Sequence, residues 1–272
     1  MKKHEIVEQI KAKSSFLCVG LDSELGKIPA HLLSDPDPLF SFNKAIIEAT
    51  APYCVSYKLN LAFYEQYGVK GWQSMEKTLE IIPKNCFVIA DAKRGDIGNT
   101  GTMYAKAFFE TYSYDAITVS PYMGEDSVKP FLAYDAKFSI VLGLTSNAGS
   151  NDFQVLQTNE GPLYETVLKK VSSWGTPDNL MFVIGATKAE KFAEIRALLP
   201  NHFLLVPGVG AQGGDLKGVA MHGMNSECGL LVNSSRGIIY ASSGTDFAEA
   251  AKSEAIKLRD EMKTYLSLHK II

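Results

Sequence analysis

The chain has 272 residues, 46% apolar and 21% charged, and a formal net charge of −3. That balance belongs to an ordinary globular protein and provides no basic footprint for nucleic acid or an acidic membrane. No run approaches the roughly 20 apolar residues of a membrane span, and the start, Met1-Lys2-Lys3-His4-Glu5, turns at once into an amphipathic helical pattern unlike a signal peptide. The expectation is a cytoplasmic protein.

Short runs rich in Val, Ile, Leu and Phe recur at 16–21, 54–59, 86–90, 116–120, 138–144, 180–184, 203–206 and 229–232. Continuous apolar runs of this length suit parallel strands covered on both faces. Between them the periodicity is helical, at 64–82 (with Met75, Leu79 and Ile82 on one face), 102–112, 161–173 and 188–199. The last helix, 246–268, puts Phe247, Ala251, Ala255, Leu258, Met262 and Tyr265 on one face among charges. Pro52, Pro83 and Pro200 each close a segment just before a strand. Strand and helix alternating eight times predict an α/β fold, a (β/α)8 TIM barrel with a parallel eight-stranded barrel, as a single domain over 1–272. An open doubly wound sheet is the alternative, but it usually has fewer strands. Cys18, Cys54, Cys86 and Cys228 lie in or beside these runs with no CxxC spacing, as buried reduced thiols would.

In such a barrel the C-terminal strand ends form the active-site face. Strand one ends in Asp22, strand two in Lys58 and Asn60, and strand three in Asp91-Ala92-Lys93-Arg94-Gly95-Asp96. Strand five ends in Thr145-Ser146-Asn147, and strand eight in Asn233-Ser234-Ser235-Arg236-Gly237. A single Asp after a strand is commonly only a turn former or helix cap. Charged groups at nearly every relevant strand end are harder to dismiss, because charge at the rim of a core must be paired or desolvated. Lys58, between Tyr57 and Leu59, would be costly without a partner. After strand seven, Gly208, Gly210, Gly213 and Gly214 allow backbone N–H groups to approach an anion, Gln212 adds an amide, and Arg236 adds a guanidinium suited to phosphate. The loop matches GxGxxG, yet the residue twenty beyond Gly213 is Asn233 rather than an acid, so a single phosphate fits better than a dinucleotide. The five histidines fall outside the strand-end set.

The stretch Asp91-Ala92-Lys93-Arg94-Gly95-Asp96-Ile97-Gly98-Asn99-Thr100 resembles the DxKxxDIGNT signature of the orotidine 5'-phosphate decarboxylase family. The likeness extends from Gly20-Leu21-Asp22 to Arg236-Gly237, and Thr145-Ser146-Asn147 with 208–214 is similar to the family's longer bacterial branch. The resemblance implies a (β/α)8 homodimer with shared active sites, no metal and no organic cofactor, converting orotidine 5'-phosphate to UMP and CO2 at the end of de novo pyrimidine synthesis. It implies a charged network of Lys58, Asp91, Lys93 and Asp96, with Asp96 reaching in from the partner, Lys93 protonating C6 and Asp91 near the departing carboxylate. It further implies that Asp22, Lys58 and Thr100 (again from the partner) hold ribose hydroxyls, Ser146 the pyrimidine, and Gln212 and Arg236 the phosphate; Asn60 carries no assigned role. Two other readings compete. A metal-bound enediolate enzyme would need carboxylates at strand two, where the first acid after Lys58 is Glu65. A nucleotide-binding barrel without catalysis would not need all four network residues.

Overall fold

The computed structural model describes residues 1–209 and 214–272, apart from the side chains of Lys188 and Ala189. The eight apolar runs form eight parallel strands: β1 (Leu17–Gly20), β2 (Ser56–Asn60), β3 (Phe87–Arg94), β4 (Ala116–Val119), β5 (Phe138–Leu144), β6 (Leu180–Ile184), β7 (Phe203–Pro207) and β8 (Leu230–Ser234). They follow one another in chain order round a closed barrel, which β8 completes against β1 through Leu17↔Val232, Cys18↔Asn233 and Val19↔Ser234. Every residue of β1, β4, β6 and β8 is buried, which explains why these strands are mainly apolar without alternation; Thr118 in β4 and Asn233 and Ser234 in β8 are their buried polar members. Helices pack outside. The helix Pro38–Thr50 starts on an Asp37 cap that accepts from Phe40 N at 3.2 Å, with proline in its first turn. It packs against the long helix Phe247–Leu268, which buries Phe247, Ala251, Ala255, Met262 and Tyr265 as predicted, and Leu266 as well, while Leu258 is only partly covered.

Two predicted helices contain non-helical backbone. The segment 64–82 becomes Ala62–Glu65 and Gly68–Ile81, broken where Gly68 takes φ +59°, a conformation open to glycine at little cost. The segment 161–173 begins as a small antiparallel hairpin, Gln157–Thr158 with Gly161–Pro162, before the helix Leu163–Ser172. The four cysteines are buried and free. Among the described residues no helix is long and apolar enough to cross a membrane.

The irregularity that matters most lies in β3, which the apolar pattern ends at Ala90 but which continues to Arg94. Toward β2 it pairs in step from Ser56↔Phe87 to Asn60↔Asp91. Toward β4, Ala90 pairs with Ile117 and Arg94 with Val119, so Asp91, Ala92 and Lys93 stand opposite the single residue Thr118. A bulge of this kind bends the strand and re-aims its side chains. Within it Lys93 has φ +48°, the left-handed region that non-glycine residues seldom occupy.

At the opposite end of the barrel, Arg196 donates to the carbonyls of Gly223 (2.8 Å), Leu199 (2.8 Å), His202 (2.7 Å) and Gly229 (3.0 Å), tying the approaches to β7 and β8 together. His202 beside it is 7% exposed, and neither ring nitrogen has a partner among the described residues. Burial, then the Arg196 and Lys3 charges, push its pKa down from 6.5 to about 4. The unfolded chain therefore takes up this proton near pH 6.5 and the folded chain only near pH 4, so the contribution of neutral His202 to stability is complete above pH 6.5 and is lost as pH falls through that interval. A His202→Leu chain is expected to lose on the order of 2 kcal/mol less stability than the unmodified chain over that acid interval. Urea unfolding at a series of pH values measures the difference; parallel curves would remove His202 as the source.

Candidate active site

A cavity of about 190 Å³ opens at the C-terminal mouth of the barrel. One wall is Asp22, Lys58, Asn60 and Asp91, from the ends of the first three strands; the other is Pro207, Gly208, Val209, Asn233, Ser235 and Arg236, from the last two. A larger cavity of about 490 Å³ lies among Lys2, Lys3, His4 and residues that precede β5 and β6, at the end where strands begin. Of these two, the mouth cavity is the one lined by a buried Lys–Asp pair, Lys58 with Asp91.

Lys58 donates to Asp91 Oδ2 at 2.8 Å, and Lys93 donates to Asp91 Oδ1 at 2.7 Å. Asp22 Oδ1 lies 3.8 Å from the Lys58 ammonium. The result is a continuous order of charge, Asp22, Lys58, Asp91, Lys93, in which each like-charged pair is separated by an opposite charge. Lys58 is only 4% exposed. Burial alone would favour its neutral form, but Asp91 and then Asp22 outweigh that and hold the ammonium pKa above its ordinary value. For Asp91 burial likewise opposes ionisation, and Lys58 and Lys93 outweigh it, holding the carboxyl well below the usual range. Lys93 differs in being open, with half of its side chain exposed (51%). The arrangement can bring a fixed cation and a fixed anion to a bound molecule without reorganisation.

The Asp22 segment is held by groups distant in sequence. Tyr64 OH donates to Leu21 O at 3.0 Å and Tyr240 OH donates to Asp22 O at 3.0 Å, while Tyr240 OH accepts from Glu24 N at 2.8 Å. Buried Asn43 joins in, accepting from Ser23 Oγ at 2.6 Å and donating to Tyr64 OH at 3.0 Å. Asn43 and Tyr64 escaped sequence reasoning because they sit on helical faces where an apolar residue would serve the pattern equally well, and Tyr240 because it only follows the short helix Arg236–Ile239. Asn60, which pairs with Asp91 across the strands, also lines the cavity, and its place follows only from that register. Two acceptors, Asp22 Oδ1 and Asn233 Oδ1, are buried with no donor among the described residues.

Residues 15–252 match the family described as Orotidine 5'-phosphate decarboxylase / HUMPS family. The chain belongs to that family. The orotidine 5'-phosphate decarboxylase of Flavobacterium johnsoniae is 60% identical over 265 residues, 96% of this chain and 97% of that protein. The solved structure of the Leishmania donovani OMP decarboxylase is 36% identical with a TM-score of 0.82, covering 97% of this chain and 99% of that one. The UMP synthase of the same organism is 38% identical with a TM-score of 0.82 over 95% of this chain, which spans 57% of that longer protein. The chain is thus an enzyme of a decarboxylase family built on this barrel, as the signature at 91–100 implied.

The remaining residues that the family resemblance marks are dispersed. Asp96 accepts from Ile97 N at 2.8 Å and has no ion pair among the described residues. Thr100 is exposed on the helix Gly98–Lys106. Neither lines the mouth cavity. Ser146 approaches so close to Gly185 that any side chain there would meet its Oγ at 2.0 Å. The turn before it is pinned by Gln154, which accepts from Thr145 N at 2.8 Å. Arg236 is exposed at the rim and opens the short helix Arg236–Ile239. Across from it, Gly208 O accepts from Gly214 N at 3.1 Å, closing the described part of the glycine loop; Gln212 lies outside the described residues.

Proposed function

We propose that the chain decarboxylates orotidine 5'-phosphate to UMP and CO2, completing de novo pyrimidine synthesis, through the Lys58–Asp91–Lys93 network. The observation that carries this reading is that one carboxylate, Asp91, is bonded on both oxygens by the two ammonium groups at the mouth of the barrel. Loss of CO2 breaks the bond from C6 to the carboxylate carbon and leaves the electron pair in an in-plane orbital that the ring cannot delocalise. A fixed cation at C6 stabilises that charge in a site sheltered from water. Lys93 then gives its proton to C6 and recovers one from solvent. Asp91 lies near the departing carboxylate. Pairing with Asp91 keeps Lys93 beside the reacting carbon as a charged donor.

Asp22 and Lys58 hold ribose hydroxyls in this reading, for which the donorless Asp22 Oδ1 is suited. Ser146 holds the pyrimidine, and Gln212 and Arg236 hold the phosphate. The enzyme acts as a homodimer, with Asp96 and Thr100 completing the neighbouring copy's site. The half-exposed Lys93 supports this, as do the exposed Ile97, Met103, Met123 and Tyr122 (90% exposed) beyond β3 and β4 on the same side. A metal-bound enediolate reading is less suited to the donor set, because Glu65 is bonded to Arg94 and the strand-two end carries Asn60.

The test is loss of orotidine 5'-phosphate absorbance with and without EDTA: full turnover in EDTA is expected, and EDTA-sensitive turnover would overturn the metal-independent reading. Arg236→Ala should weaken UMP at least about tenfold while leaving uridine within about twofold, since the guanidinium touches only phosphate. Equal losses for nucleotide and nucleoside in calorimetric titration would contradict that role.

A further inference from the structure

Thr118 is the one residue of β4 opposite the three-residue bulge of β3, and its side chain is 1% exposed. Its Oγ1 accepts from the backbone N–H of Lys93 at 2.9 Å and donates to Asp91 Oδ1 at 3.0 Å. The directions are fixed by chemistry: an amide N–H can only donate and an ionised carboxylate can only accept, so the hydroxyl must do one of each. The bulge removes the regular ladder partner that Lys93 N–H would have had, and Thr118 supplies a replacement. It does so at the residue with φ +48°, where the backbone persists only if its surroundings constrain it. The same hydroxyl helps orient the Asp91 carboxylate, leaving Oδ2 for Lys58.

We propose that Thr118 is a positioning residue for decarboxylation, holding the Lys93 backbone and the Asp91 carboxylate in one register so that the Lys93 ammonium is presented at a fixed point. The inference rests on the reading that Lys93 and Asp91 perform the chemistry. Thr118 itself lies off the cavity lining, so its influence passes through those two residues. Its hydroxyl is one link between the regular barrel wall and the irregular segment that carries the charges.

The test compares Thr118→Val, which keeps the β-branched shape and loses the hydroxyl, with Thr118→Ser, which keeps the hydroxyl. Thr118→Val should lower kcat about 10- to 100-fold with KM and UMP affinity within about threefold, and Thr118→Ser should hold kcat within about threefold of the unmodified enzyme. A near-normal kcat in Thr118→Val overturns the proposal. So does a Thr118→Ser enzyme as slow as Thr118→Val, because the effect would then belong to the packing of the methyl group. Lys93→Ala measured alongside keeps the two readings apart. If that chain is active, the network reading fails; if it is inactive while Thr118→Val is unimpaired, only the role of Thr118 fails.

Discussion

Replacing Lys93 by alanine is expected to lower turnover of orotidine 5'-phosphate on the order of 10⁴-fold while UMP binding stays within about fivefold. In the role proposed for Lys93, the substitution removes both the cation that faces C6 and the proton that C6 receives. It leaves the buried Lys58–Asp91 pair and the proposed phosphate contacts untouched, and the side chain it deletes is half exposed, so the fold loses little. Stopped-flow decarboxylation together with UMP titration separates the two effects. Near-normal turnover would remove Lys93 as proton donor. The same variant reports on the shared site. Mixed with inactive Asp96→Ala chains, it should form hybrid dimers in which one site receives both native residues, recovering up to about a quarter of native activity at random exchange. No recovery despite verified mixing would count against a site completed by a second copy.

Asp91→Asn should be damaging in a second way. Asp91 is the only group within hydrogen-bond distance of the Lys58 ammonium among the described residues, since Asp22 lies 3.8 Å away. Neutralising it leaves a 4% exposed cation with a distant counter-charge, for which a stability loss of about 3 kcal/mol is expected near neutral pH. Because Lys58 and Lys93 overcome burial to hold the Asp91 carboxyl below its ordinary value of 3.8, its contribution is complete above that value and disappears as pH falls through the lower folded value. The gap between the unmodified and Asn chains in urea unfolding should therefore be widest near neutral pH and close in strong acid. Turnover should be lost as well, because Lys93 loses its tether. Full stability with lost activity would show that Asp91 acts on the substrate alone.

The barrel was legible because strands covered on both faces must be apolar throughout, and eight such runs separated by helical periods leave few topologies. The charged cluster was legible for other reasons: Lys58 sits inside a strand where the pattern demands an apolar side chain, and Asp91 and Lys93 crowd the end of the next apolar run, so their charge needs a cause. The bulge was hidden because the charged residues that extend β3 to Arg94 carry no strand signal of their own. Thr118 was hidden inside an apolar strand, where a threonine is an ordinary occupant and only register reveals its two hydrogen bonds. The clamp from Tyr240 on Asp22 spans 218 positions, and nothing local to either residue announces it. The roles proposed for Asp96 and Thr100 rest on family resemblance, since neither residue lines the mouth cavity.

The left-handed turn at Lys93 bears on any effort to make this enzyme resist heat. Glycine at that position would relax the backbone by about 1 kcal/mol, and trimming the three residues opposite Thr118 to one would restore an unbroken ladder. Both changes are what an idealised barrel would favour, and both discard the ammonium or move it. With Lys93 in the role proposed for it, ruggedness and turnover compete for the same three residues. Stabilising substitutions belong elsewhere in the barrel, because in β3 a more regular strand is a less useful one.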